Sequence, residues 1–389
     1  MNDAQPRSLL PAGLKDVLPP DAAHEAELAT RLLAVFAGHG YERVRPPFVE
    51  FEEGLLSGTG AALAQQTFRL MDPISQRMMA VRSDVTPQVA RIAQSRLARS
   101  PRPLRLSYAE DILRVKGSEL RPERQFGQVG YELIGADGPA ADAEVILVAL
   151  EGLSALGIEA VSVDLNAPTL VTSLLASLKL DPETRRRLRD GLDSKDAAEV
   201  SRWAGKAAAT FEALMTATGP AERAVERLTA VTLPTVARHE AAALEAVAGR
   251  LLNERPGLAL TIDPVEHRGF EYQTGLSFSV FDIALKAELG RGGRYRIDGN
   301  GAGETATGCT LFMDTLVRAV GGPRDVKRLF LPHGTPAADG QRFRAEGYVT
   351  VAGLAPATDE EGEARRLGCG FVLKNGAPRS VGAGETRRG

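Results

Sequence analysis

The stretch RQFGQVGYELIG, residues 124–135, alternates its side chains with a period of two, which indicates a β-strand. If no bulge interrupts it, five residues share one face: Arg124, Phe126, Gln128, Gly130 and Glu132. The run LRLSYAEDILRV, residues 104–115, precedes it, and the intervening KGSELRPE contains the Gly and Pro typical of a hairpin loop. The two runs therefore predict a long hairpin, and with it an antiparallel sheet.

Elements on either side of the hairpin alternate between helix and strand patterns. Asp21 is predicted to cap a helix through about Ala37, and the strand YERVRPPFVEF (41–51) contains prolines that suit a sheet edge or a subunit contact. The other predicted elements are a strand at 78–81, helices from about 86 and over 141–156, strands at 161–167, 258–263, 268–283 and 291–297, and a last helix at 309–320.

Two regions differ from this pattern. Residues 171–255 are rich in Ala and Arg, lack a strand signal, and place Asp181 and Pro182 as cap and first residue of a helix. Residues 321–389 show short β–α–β signals, and their last residues, GAGETRRG, are predicted to be disordered. The prediction is an α+β fold with a core over 1–320, an all-helical insertion over 171–255, and a small C-terminal α/β module over 321–389.

Composition and motifs disfavour several classes of function. The net charge of −3 gives no basic surface for nucleic acid, and Cys309 and Cys369 lack metal-ligand spacing. No G-x-G-x-x-G or P-loop pattern is present, so no dinucleotide or metal cofactor is expected. The N-terminus has no apolar signal sequence and no later run is long enough to cross a bilayer, so we expect a soluble, cytoplasmic protein.

Four polar clusters interrupt otherwise apolar elements. Each has a purely structural interpretation as well: a helix cap for VRSDVT (81–86), a solvated face for the hairpin strand, a sheet edge for RGFEYQTGLSF (268–278), and a turn for GRGGRYRIDG (290–299). The four occurring together favour a site for a small polar ligand.

The order and spacing of these clusters resemble the catalytic core of histidyl-tRNA synthetase, a class II synthetase with an antiparallel sheet. The resemblance is stronger to its paralogues, the regulatory subunits of ATP phosphoribosyltransferase, and it covers about residues 9–320. It implies a histidine-binding site formed by Asp84, Thr86, Arg114, Gln128, Glu132, Arg268, Tyr272, Gln273 and Tyr295. In this resemblance Asp84 meets the α-amino group and Tyr295 lies at the imidazole end, while Gln273 replaces the second Tyr of the family's Tyr-Tyr pair.

A carboxylate for the ammonium, an arginine for the carboxylate, and amide or phenol groups for the imidazole suit a zwitterionic amino acid. The groups that handle ATP differ from those of the synthetase. A glutamate that follows the hairpin arginine in the synthetase is Lys116 here, and in GCTLFMDTLVRA (308–319) the glycine and arginine positions are Phe312 and Thr315. Arg318 is an alternative source of the positive charge that this arginine supplies in the synthetase.

The resemblance therefore implies a non-catalytic regulatory subunit without tRNA or membrane contacts. Its expected partners are histidine, a second copy of itself in a dimer, and a short-form ATP phosphoribosyltransferase catalytic subunit, within a larger hetero-oligomer. Two alternatives remain open at this point: a divergent histidyl-tRNA synthetase, and a stand-alone amino-acid-binding regulatory module.

Overall fold

The computed structural model describes residues 9–117, 121–266, 273–297, 303–323 and 326–382, apart from the side chain of Thr59. The chain forms two compact units that divide between Gly322 and Pro323. The strands of the first unit are β1 (Glu42–Arg43), β2 (Val49–Phe51), β3 (Arg69–Met71), β4 (Met78–Val81), β5 (Leu104–Leu113), β6 (Gln125–Ile134), β7 (Val161–Asn166), β8 (Gly219–Pro220), β9 (Ala259–Asp263), β10 (Gln273–Asp282), β11 (Ala287–Ile297) and β12 (Glu304–Phe312). Its helices are α1 (Asp21–Gly38), α2 (Glu52–Leu55), α3 (Thr86–Gln94), α4 (Pro139–Ala155), α5 (Pro168–Ser177), α6 (Pro182–Asp193), α7 (Ala197–Ala204), α8 (Ala208–Thr216), α9 (Ala221–Ala230), α10 (Thr235–Glu254) and α11 (Met313–Val320), with 3₁₀ segments at Gly58–Gln66 and Gly205–Ala207.

A nine-stranded sheet forms the centre of the first unit, in the order β1-β5-β6-β12-β11-β10-β7-β9-β8. The predicted hairpin is confirmed, since β5 and β6 pair antiparallel from Leu104 opposite Ile134 to Leu113 opposite Gln125 without a register shift. Within this sheet, as far as its strands are described, only the β1–β5 and β7–β9 pairs are parallel. β2, β4 and β3 form a separate antiparallel sheet of three strands.

The two faces of the large sheet have different partners. One face packs against α1, α4, α5 and α10 in the main hydrophobic cluster, to which β6 contributes Val129, Tyr131 and Leu133. The other face carries a smaller cluster with α3 that includes Phe126, Tyr295 and Phe312. Since side chains alternate along a strand, the even-numbered residues of β6 point toward this second face.

Three local predictions are wrong. Asp21 is the first helical residue rather than the cap, because the carbonyls of Leu18 and Pro20, in the preceding turn, already accept from the amides of Ala22 and His24. The segment 309–312, predicted as helix, belongs to β12. This central strand is buried on both faces, so its apolar run loses the period of two.

The third correction concerns residues 171–255, where no strand was expected. The helices are present, and Asp181 caps α6 as predicted, by accepting from the amides of Glu183 and Thr184. However, Gly219–Pro220 forms the short strand β8, which pairs with β9 at the edge of the sheet. Leu174, Leu214 and Leu244 from these helices belong to the main hydrophobic cluster, so the helical region and the sheet share one core. A separate role for this region as an insertion stays a prediction.

The second unit is a small α/β module whose four-stranded sheet has the order β14-β13-β15-β16. Its elements are β13 (Arg328–Leu331), α12 (Ala337–Ala345), β14 (Val349–Ala352), α13 (Glu360–Arg366), β15 (Phe371–Lys374) and β16 (Ala377–Ser380). The predicted order of strands and helices is confirmed, whereas β16 was missed. The disorder predicted for the last residues falls on 383–389, outside the described residues. Across the described chain, no helix is long and apolar enough to cross a membrane.

Candidate functional site

A cavity of about 510 Å³ lies on the second face of the large sheet. The strands β6, β11 and β12 supply its floor, while the start of α3, the hairpin loop and α11 supply its walls. Six of the predicted residues line it: Asp84, Thr86, Arg114, Glu132, Gln273 and Tyr295. Arg268 and Tyr272 lie outside the described residues.

Of the acidic residues that line the cavity, Glu132 is the most deeply buried, with 1% of its surface exposed. Its Oε1 accepts a hydrogen bond from the Thr86 hydroxyl at 2.9 Å, and its Oε2 accepts one from the Tyr295 hydroxyl at 2.9 Å. Burial raises the pKa of Glu132 to about 8, and the Asp84 carboxylate adds to the increase against the lowering effect of the two hydroxyls. Burial thus disfavours the ionised form of this carboxyl, and a ligand cation beside it would favour that form.

Asp84 lies half-buried at the turn before α3. Its Oδ1 accepts from the Thr86 amide at 3.0 Å, and its Oδ2 faces the Gln128 side-chain amide at 3.5 Å. Gln128 also accepts from the Val85 amide at 3.1 Å. Asp84 thus contacts the first helical amide, but the cap interpretation of this cluster is wrong, because Val85 is the N-cap residue and has no side-chain cap hydrogen bond. Gln128 contacts both Asp84 and the Val85 amide. The Thr86 hydroxyl donates its hydrogen bond to Glu132.

Arg114 and Gln273 also line the cavity. Arg114 follows the end of β5, donates from Nε to the Ser83 carbonyl at 3.3 Å, and places its guanidinium 5.2 Å from the Phe126 ring centroid. Gln273 begins β10 opposite Tyr295. Its Oε1 is buried and has no hydrogen-bond partner in the described part of the chain, so it is available to an N–H group of a ligand.

Two glycine positions bring the backbone close to these groups. Gly308 lies directly opposite Glu132, and a Cβ there would approach the Glu132 carboxylate to 1.8 Å. Gly293 has a φ of +155° and pairs with Gly308, next to a register shift between β10 and β11. The structural interpretation of GRGGRYRIDG (290–299) was therefore partly right, since a register shift lies next to Gly293, while Gly292 and Gly293 both line the cavity. Gly308 was missed, although the small residues of ATGCT in β12 are a signal for it.

The other end of the cavity contains an arginine that the sequence analysis passed over. Arg121, from the hairpin loop, donates from Nε to Asp314 at 2.8 Å and stacks 3.8 Å above the Phe312 ring centroid. Thr315 is buried beside it, and Arg318 lies one turn further along α11 and also lines the cavity. Within the described residues, no group of three or more His, Cys, Asp or Glu is placed to hold a metal ion.

Comparisons with known proteins agree on one family. The family model described as histidyl-tRNA synthetase matches residues 13–316. An ATP phosphoribosyltransferase regulatory subunit of Rhodospirillum centenum is 58% identical over 369 residues, which cover 95% of each chain. The protein of the same name from Paramagnetospirillum magneticum is 55% identical, covering 95% of this chain and 97% of the relative.

Solved structures share the fold at lower identity. An ATP phosphoribosyltransferase regulatory subunit/histidyl-tRNA synthetase from Bacillus halodurans superimposes with a TM-score of 0.80 at 23% identity, covering 93% of this chain and 97% of that one. Histidyl-tRNA synthetase from Nostoc gives a TM-score of 0.76 at 17% identity, covering 95% and 91%. The fold is therefore that of the class II histidyl-tRNA synthetases, as the resemblance implied. By the near full-length identity to its relatives, the chain belongs to the family of ATP phosphoribosyltransferase regulatory subunits.

Proposed function

We propose that this chain is the regulatory subunit of an ATP phosphoribosyltransferase and acts in the first step of histidine biosynthesis, the condensation of ATP with phosphoribosyl pyrophosphate. The single observation that carries the proposal is the buried acidic end of the cavity. There Glu132 accepts from Thr86 and Tyr295, and Asp84 lies at the entrance to α3. A buried carboxyl with a raised pKa, in a cavity lined by further polar groups, is typical of a ligand site.

Free histidine is the ligand that this end of the cavity suits best. Its ammonium group would lie between Asp84 and Glu132, and its carboxylate would meet Arg114. The Tyr295 hydroxyl donates to Glu132, so its oxygen can accept from an imidazole N–H, and the buried Gln273 Oε1 is a second acceptor. Arg268 and Tyr272 belong to the same proposed site through the resemblance of their segment alone.

The proposed role is regulatory and non-catalytic. Attack on ATP develops negative charge on its phosphates, and losing one group that stabilises such charge costs roughly 3–4 kcal/mol. The position that carries this cation in the synthetase is Thr315, whose side chain is buried against the sheet, and the adjacent glycine position is filled by the Phe312 ring. Arg318 and Thr315 lie on the same side of α11 and both line the cavity, so an assay for ATP-dependent activation of histidine tests the non-catalytic role.

Regulation would follow from linkage between two sites. Histidine in the cavity favours one conformation of the assembly, and the catalytic subunit favours or disfavours that same conformation, so each ligand changes the affinity of the other. We assign the partner as a short-form catalytic subunit and the assembly as a cytoplasmic hetero-oligomer containing a dimer of this chain. No tRNA is expected to bind.

Reconstitution tests this function. The purified chain and a short-form catalytic subunit are mixed, and formation of phosphoribosyl-ATP is followed with and without histidine. The expected result is activity only when both chains are present, together with inhibition by histidine. Full activity of the catalytic subunit alone, unchanged by this chain, would contradict the proposal. Histidine-dependent exchange of pyrophosphate into ATP by this chain alone would establish a divergent synthetase instead.

A further inference from the structure

Arg121 is an arginine of the hairpin loop whose side chain is enclosed by two aromatic rings. Its guanidinium carbon lies 3.8 Å from the Phe312 ring centroid and 4.8 Å from that of Phe126. The two rings are 6.1 Å apart and nearly perpendicular. Only 10% of the Arg121 side chain is exposed. Stacking against aromatic faces stabilises a partly desolvated guanidinium in this position.

Two nitrogens of the Arg121 guanidinium also donate hydrogen bonds to residues of α11. Its Nε donates to Asp314 Oδ2 at 2.8 Å, and its Nη2 donates to the Thr315 hydroxyl at 3.3 Å. The Asp314 side chain is itself 10% exposed, and its Oδ1 is buried without a hydrogen-bond partner in the described part of the chain. Separating the pair would leave a poorly compensated buried carboxylate, so Arg121 is held firmly where it is.

The position of Arg121 follows from the register of β6 and β12. Gly308 lies opposite Glu132, and Phe312 lies opposite Gln128, four residues further along both strands. At about 3.4 Å per residue, the backbone of Phe312 lies roughly 14 Å along the strand from that of Gly308, the residue opposite Glu132. Arg121 and Phe312 therefore lie toward the far end of the cavity from Glu132, where Arg121 shares the Phe126 ring with Arg114, the proposed partner of the amino acid's carboxylate.

We propose that Arg121, held by Phe312 and Asp314, is a specificity-determining residue that closes this end of the cavity to the phosphates of a nucleotide. The inference rests on the proposed amino-acid site and explains how that site stays restricted to the free amino acid. Because one edge of the guanidinium donates to Asp314 and its face is covered by the Phe312 ring, a phosphate that paired with Arg121 through that edge would have to displace the Asp314 carboxylate. Its ion pair with Asp314 is charge-compensated, so it offers an incoming anion little net attraction.

The test compares ATP and histidine binding by calorimetry, using the full chain. Asp314→Asn preserves the shape of the side chain but removes the carboxylate that pairs with Arg121. Phe312→Gly removes the ring that covers the guanidinium and so opens space for a phosphate. We expect the affinity for ATP to rise at least about tenfold in D314N and further in D314N/F312G, while the affinity for histidine changes by less than about threefold. Where the double variant fails to fold, D314N alone decides the outcome.

A matched control separates release of Arg121 from a simple loss of negative charge. Glu288 also lines the cavity, but it pairs with Arg291 at 2.8 Å. Glu288→Gln should raise ATP binding less than D314N does. An equal increase in E288Q, or an unchanged ATP affinity in D314N, would overturn the role of Arg121. Absence of histidine binding with the expected ATP results would count against the proposed function and leave the role of Arg121 intact.

Discussion

Replacing Glu132 by Gln should remove a strong pH dependence of the stability of the first unit. The folded-state pKa of Glu132 is about 8 against 4.5 for an unperturbed glutamate, chiefly because the group is buried. Between these two pKa values, the folded chain therefore keeps a proton on Glu132 that the unfolded chain has released. The free energy of unfolding of the wild type should fall as the pH rises from about 4.5 to about 8. Gln has nearly the same shape and cannot ionise, so E132Q lacks this contribution.

The size of the effect follows from the difference in pKa. One pKa unit corresponds to about 1.36 kcal/mol, so the free-energy difference between wild type and E132Q should change by about 4 kcal/mol from about pH 5 to pH 9, with E132Q gaining. Urea unfolding followed by tryptophan fluorescence measures it. Trp203 is the single tryptophan of the chain, lies in α7, and packs against the main hydrophobic cluster of the first unit.

The control for this prediction is Glu304→Gln. Glu304 starts β12 and pairs with Arg102 at 2.5 Å, which lowers its pKa, so its carboxylate is ionised in both states above about pH 6. The difference between wild type and E304Q should therefore stay constant from about pH 6 to pH 9. If the difference between wild type and E132Q changes by less than about 1 kcal/mol over the full range, the assigned protonation of the buried carboxyl is wrong.

Five further substitutions at four positions test the local geometry by urea unfolding. Gly308→Ala should lower the free energy of unfolding by about 1–3 kcal/mol and weaken histidine binding, because its Cβ would displace the Glu132 carboxylate. Gly322→Ala meets nothing within 4 Å and should change stability by less than about 0.5 kcal/mol; equal effects of the two would refute the clash. Gly249→Ala, at an exposed and unobstructed position in α10, should stabilise by about 0.5–1 kcal/mol, and a loss of stability would contradict that geometry. Asp181→Ala should destabilise by about 1 kcal/mol through loss of the α6 cap while Asp181→Asn should not, and equal stability of all three proteins would argue against the cap.

The fold could be predicted where one face of an element is polar. The hairpin strands, the helix starting at Thr86 and the cap at Asp181 all carry a local signal, and the structure confirms each. The local sequence signal failed where burial on both faces, or pairing with a strand distant in sequence, determined the secondary structure. Residues 309–312 are buried on both faces and read as helix, and the pairing of Gly219–Pro220 with β9 depends on a partner some forty residues away.

The candidate site was predictable in its composition and only partly in its geometry. The sequence placed Gln128 and Glu132 on one face, and the register of β6 agrees. It could not show that Gln128 contacts both Asp84 and the Val85 amide, since those contacts depend on the packing of α3 against the sheet. Arg121 was missed because the loop GSELRPE gave no sign that its arginine would reach Asp314, 193 residues away in sequence.

Inhibition of the reconstituted phosphoribosyltransferase by histidine tests the central claim most directly. The rate is measured against histidine concentration for complexes that contain the wild-type chain or Asp84→Asn. If the cavity is the regulatory site, the concentration giving half-inhibition should rise at least about tenfold in D84N, because the carboxylate for the ammonium group is lost. Identical inhibition of the two complexes would place histidine elsewhere and contradict the account.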